Sequence, residues 1–383
     1  MRIEEVRLHF ICLPFRVDFS HASNRGSFSQ NIVVEVVADS GRIRGFGEGA
    51  PREYVTGESQ KTAASSMQEL LSGGRIPWDV HDVSEIWKFI DGLPEGKEHN
   101  AALCALEMAM LDALANAQKR SVREYFSSPF STERIFYGAV LPLGSRERIM
   151  ELSGLVRRLG ISRLKIKLAR DIAENREILD GVHRVFNGSC ELKADANGSW
   201  NLQTALEHLA LLERHGVSVL EQPMIPGDPD LALLCREATR HGMKLMADES
   251  ACSIGEVKAL LNEGFYDLIN VRLSKCGGFR RSLRIVNLLR RSKMPFQIAC
   301  QLGESGLLSA AGRILSMLCG DALYHDGSYD RFLLRENVTK EDVIFGVGGE
   351  AGPLEGVGLG VTVEMERLHR LRGGADPICF SKT

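Results

Sequence analysis

The stretch Arg163-Leu164-Lys165-Ile166-Lys167-Leu168 is a short apolar run interrupted by two lysines. Four later islands match it: Lys193-Ala194-Asp195-Ala196-Asn197, Leu220-Glu221-Gln222-Pro223, Ala247-Asp248-Glu249-Ser250 and Asn270-Val271-Arg272-Leu273-Ser274-Lys275. Their charged ends fall at 167, 195, 221, 248 and 275, successive steps of 28, 26, 27 and 27 residues. That regular step is the strongest organising signal in the chain.

Around the islands, apolar runs at 136–143, 163–168, 190–194, 217–220, 244–247, 268–273 and 296–300 predict strands. Helical spacing between them predicts helices over 172–184, 202–214, 254–262 and 282–291. Strands apolar on both faces and alternating with helices make parallel βαβ units. A weaker eighth strand near 322–325 brings the count to eight, for which closure into a (β/α)8 barrel, TIM-like in class, is the economical solution. An open doubly wound sheet is the alternative, but the first βα turns carry no GxGxxG fingerprint.

Upstream, 5–13 and 31–38 predict strands, and Asp39-Ser40-Gly41 turns the chain into a third at 43–48. Residues 62–71 and 99–118 predict helices; the second carries Ala101, Ala102, Ala105, Ala109, Ala113 and Ala115, so it should pack closely against a neighbour. The stretches 19–27 and 51–57 predict loops, either ordinary solvated connectors or ligand contacts through His21, Arg25, Arg52 and Tyr54. The glycines of 344–361 read as turn residues, since they do not lie between a strand and a helix of a βαβ unit. The expected organisation is an α+β N-terminal domain over 1–130, the barrel over 131–332, and a segment 333–383 that returns to the first domain.

A chain of 383 residues is long enough for such a two-part fold. Its net charge of −3 gives no basic footprint, so nucleic acid is not an expected partner. The nine cysteines are odd in number and form no CxxC pair, which suits buried thiols in a reducing compartment better than a disulfide framework. The first residues mix charges and lack an apolar core segment, and no run approaches a membrane span. The expectation is a cytoplasmic protein without membrane contact.

In a parallel barrel the C-terminal strand ends converge on one face. Asp195, Glu221 and Asp248 would repel one another there unless a hard divalent cation sat among them, which makes them the expected metal ligands. A single acid after a strand is commonly a helix cap or a surface ion pair; three at one repeat, flanked by lysines, point to a site. Lys167 and Lys275 approach from opposite sides, and neighbouring positive charge disfavours their charged forms, so each can act as a base. Lys165 lies two residues before Lys167 and points to the same side, placed to stabilise negative charge. Taken without the acids, Lys165 and Lys167 also fit a solvated basic strand end.

This arrangement resembles the enolase superfamily, and the Lys-x-Lys strand paired with a lysine after the sixth strand resembles its muconate-lactonizing-enzyme subgroup. The resemblance covers nearly the whole chain. It implies a capping domain with lid loops at 19–28 and 51–57, completed by the C-terminal segment. It also implies Mg2+, with Mn2+ as an alternative, binding a substrate carboxylate while a lysine removes the α-proton to give an enediolate. Asn197 and Glu249 would support the metal site, and Glu304 keeps an acid of the seventh strand. Residues 48–58 look most like the dipeptide epimerase branch, but that branch carries Asp-x-Asp at the eighth strand where this chain has Tyr324-His325-Asp326. Tyr324 and Asp326 therefore join the expected specificity residues.

The resemblance implies an epimerase or racemase of a dipeptide or N-acyl amino acid, and a homo-oligomer. The alternative is β-elimination or cycloisomerisation of a carboxylate, as in o-succinylbenzoate synthase-like or muconate cycloisomerase-like enzymes. A barrel that only binds a carboxylate would need no second lysine.

Overall fold

A computed structural model describes residues 1–21, 24–72 and 76–382; between 17 and 25 it describes backbone only. The chain begins with β1 (Ile3–His21), β2 (Asn24–Ala38), β3 (Ile43–Gly49), α1 (Gln60–Ser72), α2 (Val83–Asp91) and α3 (Asn100–Gln118). A short β4 (Ile135–Phe136) precedes the alternating region: β5 (Ala139–Leu141), α4 (Arg146–Arg158), β6 (Arg163–Lys167), α5 (Ile172–Phe186), β7 (Glu191–Asp195), α6 (Leu202–Arg214), β8 (Val217–Glu221) and α7 (Leu231–Arg240). It continues through β9 (Lys244–Ala247), α8 (Ile254–Glu263), β10 (Leu268–Arg272), α9 (Phe279–Arg291), β11 (Phe296–Ala299), α10 (Gly306–Leu318) and β12 (Tyr324–His325). The end of the chain holds α11 (Asp330–Leu333), β13 (Glu350–Ala351), α12 (Met365–Leu371) and β14 (Ile378–Ser381).

β5 to β12 form one eight-stranded parallel sheet in sequence order, with helices between successive strands: an α/β barrel-like arrangement. Its two edges approach each other, since Gly138 N–H donates to the His325 carbonyl at 2.8 Å and Tyr137 bridges His325 in parallel. The interior residues lie in layers because successive side chains alternate faces. Lys165, Lys193 and Val219 are register partners in one layer, and Lys167, Asp195 and Glu221 in the next. No described helix is long and apolar enough to cross a membrane.

β1, β2, β3 and β14 form a separate antiparallel sheet, with the last strand of the chain paired to the first. α3 covers it at very close range. A Cβ on Gly45, Gly47 or Gly49 would lie 2.1 Å from Ala113 N, Ala105 O or Ala101 O, so only the glycine row admits the alanine face of the helix. The small residues of 101–115 are thus explained by backbone contact.

The stretch 19–27 differs from its expectation as a loop. Phe19 pairs with Gly26, Ser20 with Arg25 and His21 with Asn24, so the hairpin runs on past an irregularity between Pro14 and Phe19. A polar ribbon has no apolar alternation by which strand pairing could be read. All nine cysteines are free thiols.

Candidate active site

The ends of β6 to β10 bring the charged islands together. Lys167, Asp195 and Glu221 stand level across three strands, Asp248 follows β9 directly, and Lys275 lies three residues beyond β10. Hydrogen bonds from the neighbouring backbone and from the cap fix these ends. Gln222 Oε1 accepts from Asp248 N at 2.9 Å and Ser250 N at 3.1 Å. Across the seam, Asn100 Nδ2 donates to the Lys275 carbonyl at 2.6 Å, and Ala50 N to Ser274 Oγ at 2.9 Å.

Lys165 Nζ donates to both oxygens of Glu221, at 3.0 and 3.2 Å, and lies 3.4 Å from Asp326 Oδ2. Burial opposes its charge, yet Glu221, Asp326 and Asp195 outweigh burial and raise it above the usual lysine range. Glu221 responds in kind: burial would raise it, but Lys165, Lys193 and Arg272 bring it down to about 2. Both partners stay charged. Lys167 and Lys275 behave differently, each held below the usual lysine range by burial. Lys167 donates to Asn197 Oδ1 at 2.8 Å and lies 3.7 Å from Asp195. Lys275 donates to Asp248 Oδ1 at 3.0 Å and to the carbonyls of Asp248 and Asn270 at 2.7 and 2.6 Å.

Asn197 adopts a left-handed φ of 46°, which lets its N–H reach Asp195 Oδ1 at 2.9 Å while its amide group reaches Asp195 Oδ2 at 3.2 Å and Glu249 Oε1 at 3.3 Å. Burial and the charge of Asp195 raise Glu249 to about 7, and its Oε2 is buried without a hydrogen-bond partner. Glu304, raised to about 8 by burial, accepts from Gln301 N.

The side chains of Asp195, Glu221 and Asp248 are 0% exposed and offer only hard oxygen donors. Among the described residues no three of His, Cys, Asp and Glu stand close enough to enclose an ion as placed; Lys165, Lys275 and Arg272 meet the carboxylate oxygens instead. The donor set, with the orphaned Glu249 Oε2 beside it, fits a divalent cation such as Mg2+.

Of the remaining expected residues, Asp326 joins this cluster through Lys165. Arg52 spends its donors on Ser29 Oγ, Asn31 Oδ1 and the carbonyls of Gln30, Pro51 and Leu302, tying the cap to the seventh-strand loop. Arg52 and Tyr54 line a cavity of about 650 Å3 with Phe15, Phe28, Glu53 and Leu302. Tyr324 sits one layer below the strand ends, buried with Val219, Met246 and Leu268, its hydroxyl donating to Glu191. Asp326 is held by Lys193 Nζ at 3.2 Å as well as by Lys165. The side chains of His21 and Arg25 lie outside the described residues.

A sequence model described as Enolase C-terminal domain-like matches residues 148–367, more than half of the chain. The chain belongs to the enolase superfamily. The matched model is that of the mandelate racemase/muconate-lactonizing subgroup. An N-succinyl-L-Arg/Lys racemase of Bacillus cereus is 25% identical over 320 residues, covering 82% of this chain and 83% of the relative. A hydrophobic dipeptide epimerase of Enterococcus faecalis is 23% identical over 377 residues, 97% of each chain. The crystal structure of a dipeptide epimerase from Cytophaga hutchinsonii, complexed with Mg and the dipeptide D-Ala-L-Val, superposes with a TM-score of 0.84 at 22% identity over 99% of this chain and 100% of the other. That likeness shows the shared fold.

Sequence reasoning on this enolase-superfamily chain assigned no role to Lys193, Asn270, Arg272 or Gln301, all of which are buried at the site. The signal for Lys193 was available, since it stands two residues before Asp195 and must share its face. Asn270, which donates to Glu221 Oε1 at 2.8 Å, and Arg272 alternate on β10 in the same way.

Proposed function

We propose that the protein is an isomerase, a racemase or epimerase that removes the proton α to a carboxylate and returns it to the opposite face. The observation that carries this reading is the pair Lys167, half-buried, and Lys275, fully buried, both held below their ordinary range by desolvation on either side of the carboxylate-bearing strand ends. A desolvated lysine takes and gives a proton near neutral pH. Lys167 serves one face of the α-carbon and Lys275 the other. Lys165, kept fully charged by Glu221 and Asp326, stabilises the negative charge that develops on the substrate carboxylate as the proton leaves.

Asp195, Glu221 and Asp248 would hold Mg2+, or Mn2+ in its place, with Asn197 and Glu249 in support. Such an ion supplies Lewis-acid polarisation of the carboxylate. The N-succinyl amino acid racemase and the dipeptide epimerases among the relatives support an N-acyl amino acid or a dipeptide as substrate. Of these two, the pairing of Asp326 with Lys165 and Lys193 favours the N-acyl amino acid, because that carboxylate is already compensated and a substrate ammonium would compete with two lysines. Arg52, Tyr54 and the cavity beside them supply the wall for the side chain, under a cap made by 1–130 and 333–383 on a closed barrel over 131–332. The same reading extends to a cytoplasmic homo-oligomer.

Incubation of the Mg2+-supplemented protein in D2O with N-succinyl amino acids and dipeptides tests the proposal. Deuterium at the α-carbon together with inversion is the expected result. An alkene or lactone product would replace it with elimination or cycloisomerisation, and activity that survives exhaustive chelation would remove the metal from the reading.

A further inference from the structure

Lys275 is carried by a turn that is built onto the N-terminal part of the molecule. The turn leaves β10 after Arg272 and enters α9 at Phe279, and within it Gly277 and Gly278 take left-handed φ values of 82° and 95°. These glycines admit direct contact with α3: a Cβ on Gly277 would lie 2.7 Å from Asn100 Oδ1, and one on Gly278 would collide with Glu107 Oε2. Asn100, the first residue of α3, is 0% exposed. Its Nδ2 donates to the Lys275 carbonyl at 2.6 Å and to the Cys252 carbonyl, beyond β9, at 2.9 Å. Its Oδ1 accepts from Arg281 Nη1 at 3.2 Å, and Arg281 is anchored in turn to the Pro94 carbonyl at 2.6 Å. A guanidinium only donates, so it fixes which way the amide faces and directs both amide hydrogens at the rim carbonyls. Ala50 N adds a second bond to the same turn, to Ser274 Oγ at 2.9 Å.

Lys167 is placed by the barrel sheet itself: it ends β6, level with Asp195 in the adjacent strand. A displacement of the Lys275 peptide by about 1 Å would misplace that ammonium and leave Lys167 where it stands, at a cost on the order of 10^2-fold in proton transfer on one side only. Resting on the two-lysine reading above, we propose that Asn100 is a positioning residue for Lys275, through which the N-terminal part of the chain sets proton transfer on one face of the α-carbon and not on the other. Its amide acts on the backbone that carries the base, by holding the Lys275 and Cys252 carbonyls at a fixed separation.

The test is α-proton exchange in D2O, with saturating Mg2+, on each enantiomer of the N-succinyl amino acid turned over fastest in the incubation above, followed by NMR before inversion accumulates. Lys275→Ala first identifies the enantiomer that depends on Lys275. Asn100→Leu keeps the volume of the side chain and removes its hydrogen bonds. It should lower kcat for exchange on that enantiomer about 30-fold, with KM and exchange on the other enantiomer within about twofold of the wild type. Ser274→Ala, which removes the acceptor of Ala50 N, should show the same one-sided loss at about fivefold, and it decides the matter if Asn100→Leu does not fold. Equal slowing of both enantiomers, a rise in KM at unchanged kcat, or wild-type exchange on both would overturn the proposal. If Lys275→Ala is one-sided and Asn100→Leu is not, only the role of Asn100 fails. If the wild type exchanges neither enantiomer, or Lys275→Ala exchanges both as the wild type does, the two-lysine assignment fails and the role of Asn100 with it.

Discussion

Two groups of buried carboxylates lie within one fold and are stabilised in opposite ways. At the strand ends, Glu221 faces Lys165, Lys193 and Arg272 and is driven down to about 2, so it stays ionised. At the seam between the antiparallel sheet and the barrel, acids face backbone N–H groups at helix starts. Glu48 accepts from Ser305 N at 3.0 Å and Leu308 N at 2.9 Å, where α10 begins. Glu107 accepts from Arg280 N at 3.0 Å at the start of α9, and within the N-terminal part Glu58 accepts from Ala101 N at 2.9 Å at the start of α3. A helix N-terminus carries only partial positive charge, too little to offset full burial. Burial therefore raises Glu58 to about 7 and Glu107 to about 8. The contrast separates Glu221, which the surrounding cations keep charged, from acids that serve as hydrogen-bond acceptors at helix starts.

The largest effect that could break this contrast is on catalysis. Lys167→Ala and Lys275→Ala should each lower racemisation about 10^3-fold. Each should nevertheless retain α-proton exchange on one enantiomer, visible by NMR in D2O; loss of neither activity would end the two-base reading. Glu48→Ala, on the seam side, should leave the lysines intact but strand the Ser305 and Leu308 N–H groups and Asn31 Nδ2, which donates to Glu48 at 2.6 Å. The expected cost is on the order of 3 kcal/mol in denaturant unfolding, with Glu48→Gln costing less.

Smaller effects sharpen the distinction. Glu107 has a folded value near 8, above its ordinary 4.5, so the native state holds a proton that the unfolded state releases between those values. Its contribution is complete below the unfolded value and declines as pH rises toward 8. Glu107→Gln should remove that slope, so that its melting temperature falls by about 3 °C less than the wild type's between pH 5 and pH 8. Tyr324→Phe should show the least: loss of the hydroxyl bond to Glu191 costs about 1 kcal/mol, and kcat/KM stays as it was, because the ring lies one layer below the chemistry.

Much of the strand-end group was legible in the sequence. The step of 26 to 28 residues put Lys167, Asp195, Glu221, Asp248 and Lys275 at corresponding places in successive units, and parallel strands bring such places to one rim. The Lys-x-Lys alternation likewise gave Lys165 and Lys167 a common face. The seam was not legible, because Glu48 and Ser305 stand 257 residues apart and Glu107 and Arg280 173 apart, with no period relating them. The Gly45, Gly47 and Gly49 row could be explained only once the alanines of α3 were seen against it.

What the sequence determined by itself was the identity and order of the charged strand ends, since repeat length and side-chain alternation are local properties of a βα unit. What only the tertiary structure decided was the state of each group. Lys165 and Lys167 share a strand and a face, yet one sits against Glu221 and Asp326 and the other where burial prevails. Charge state depends on distance and desolvation in three dimensions, and neither is written in spacing along the chain.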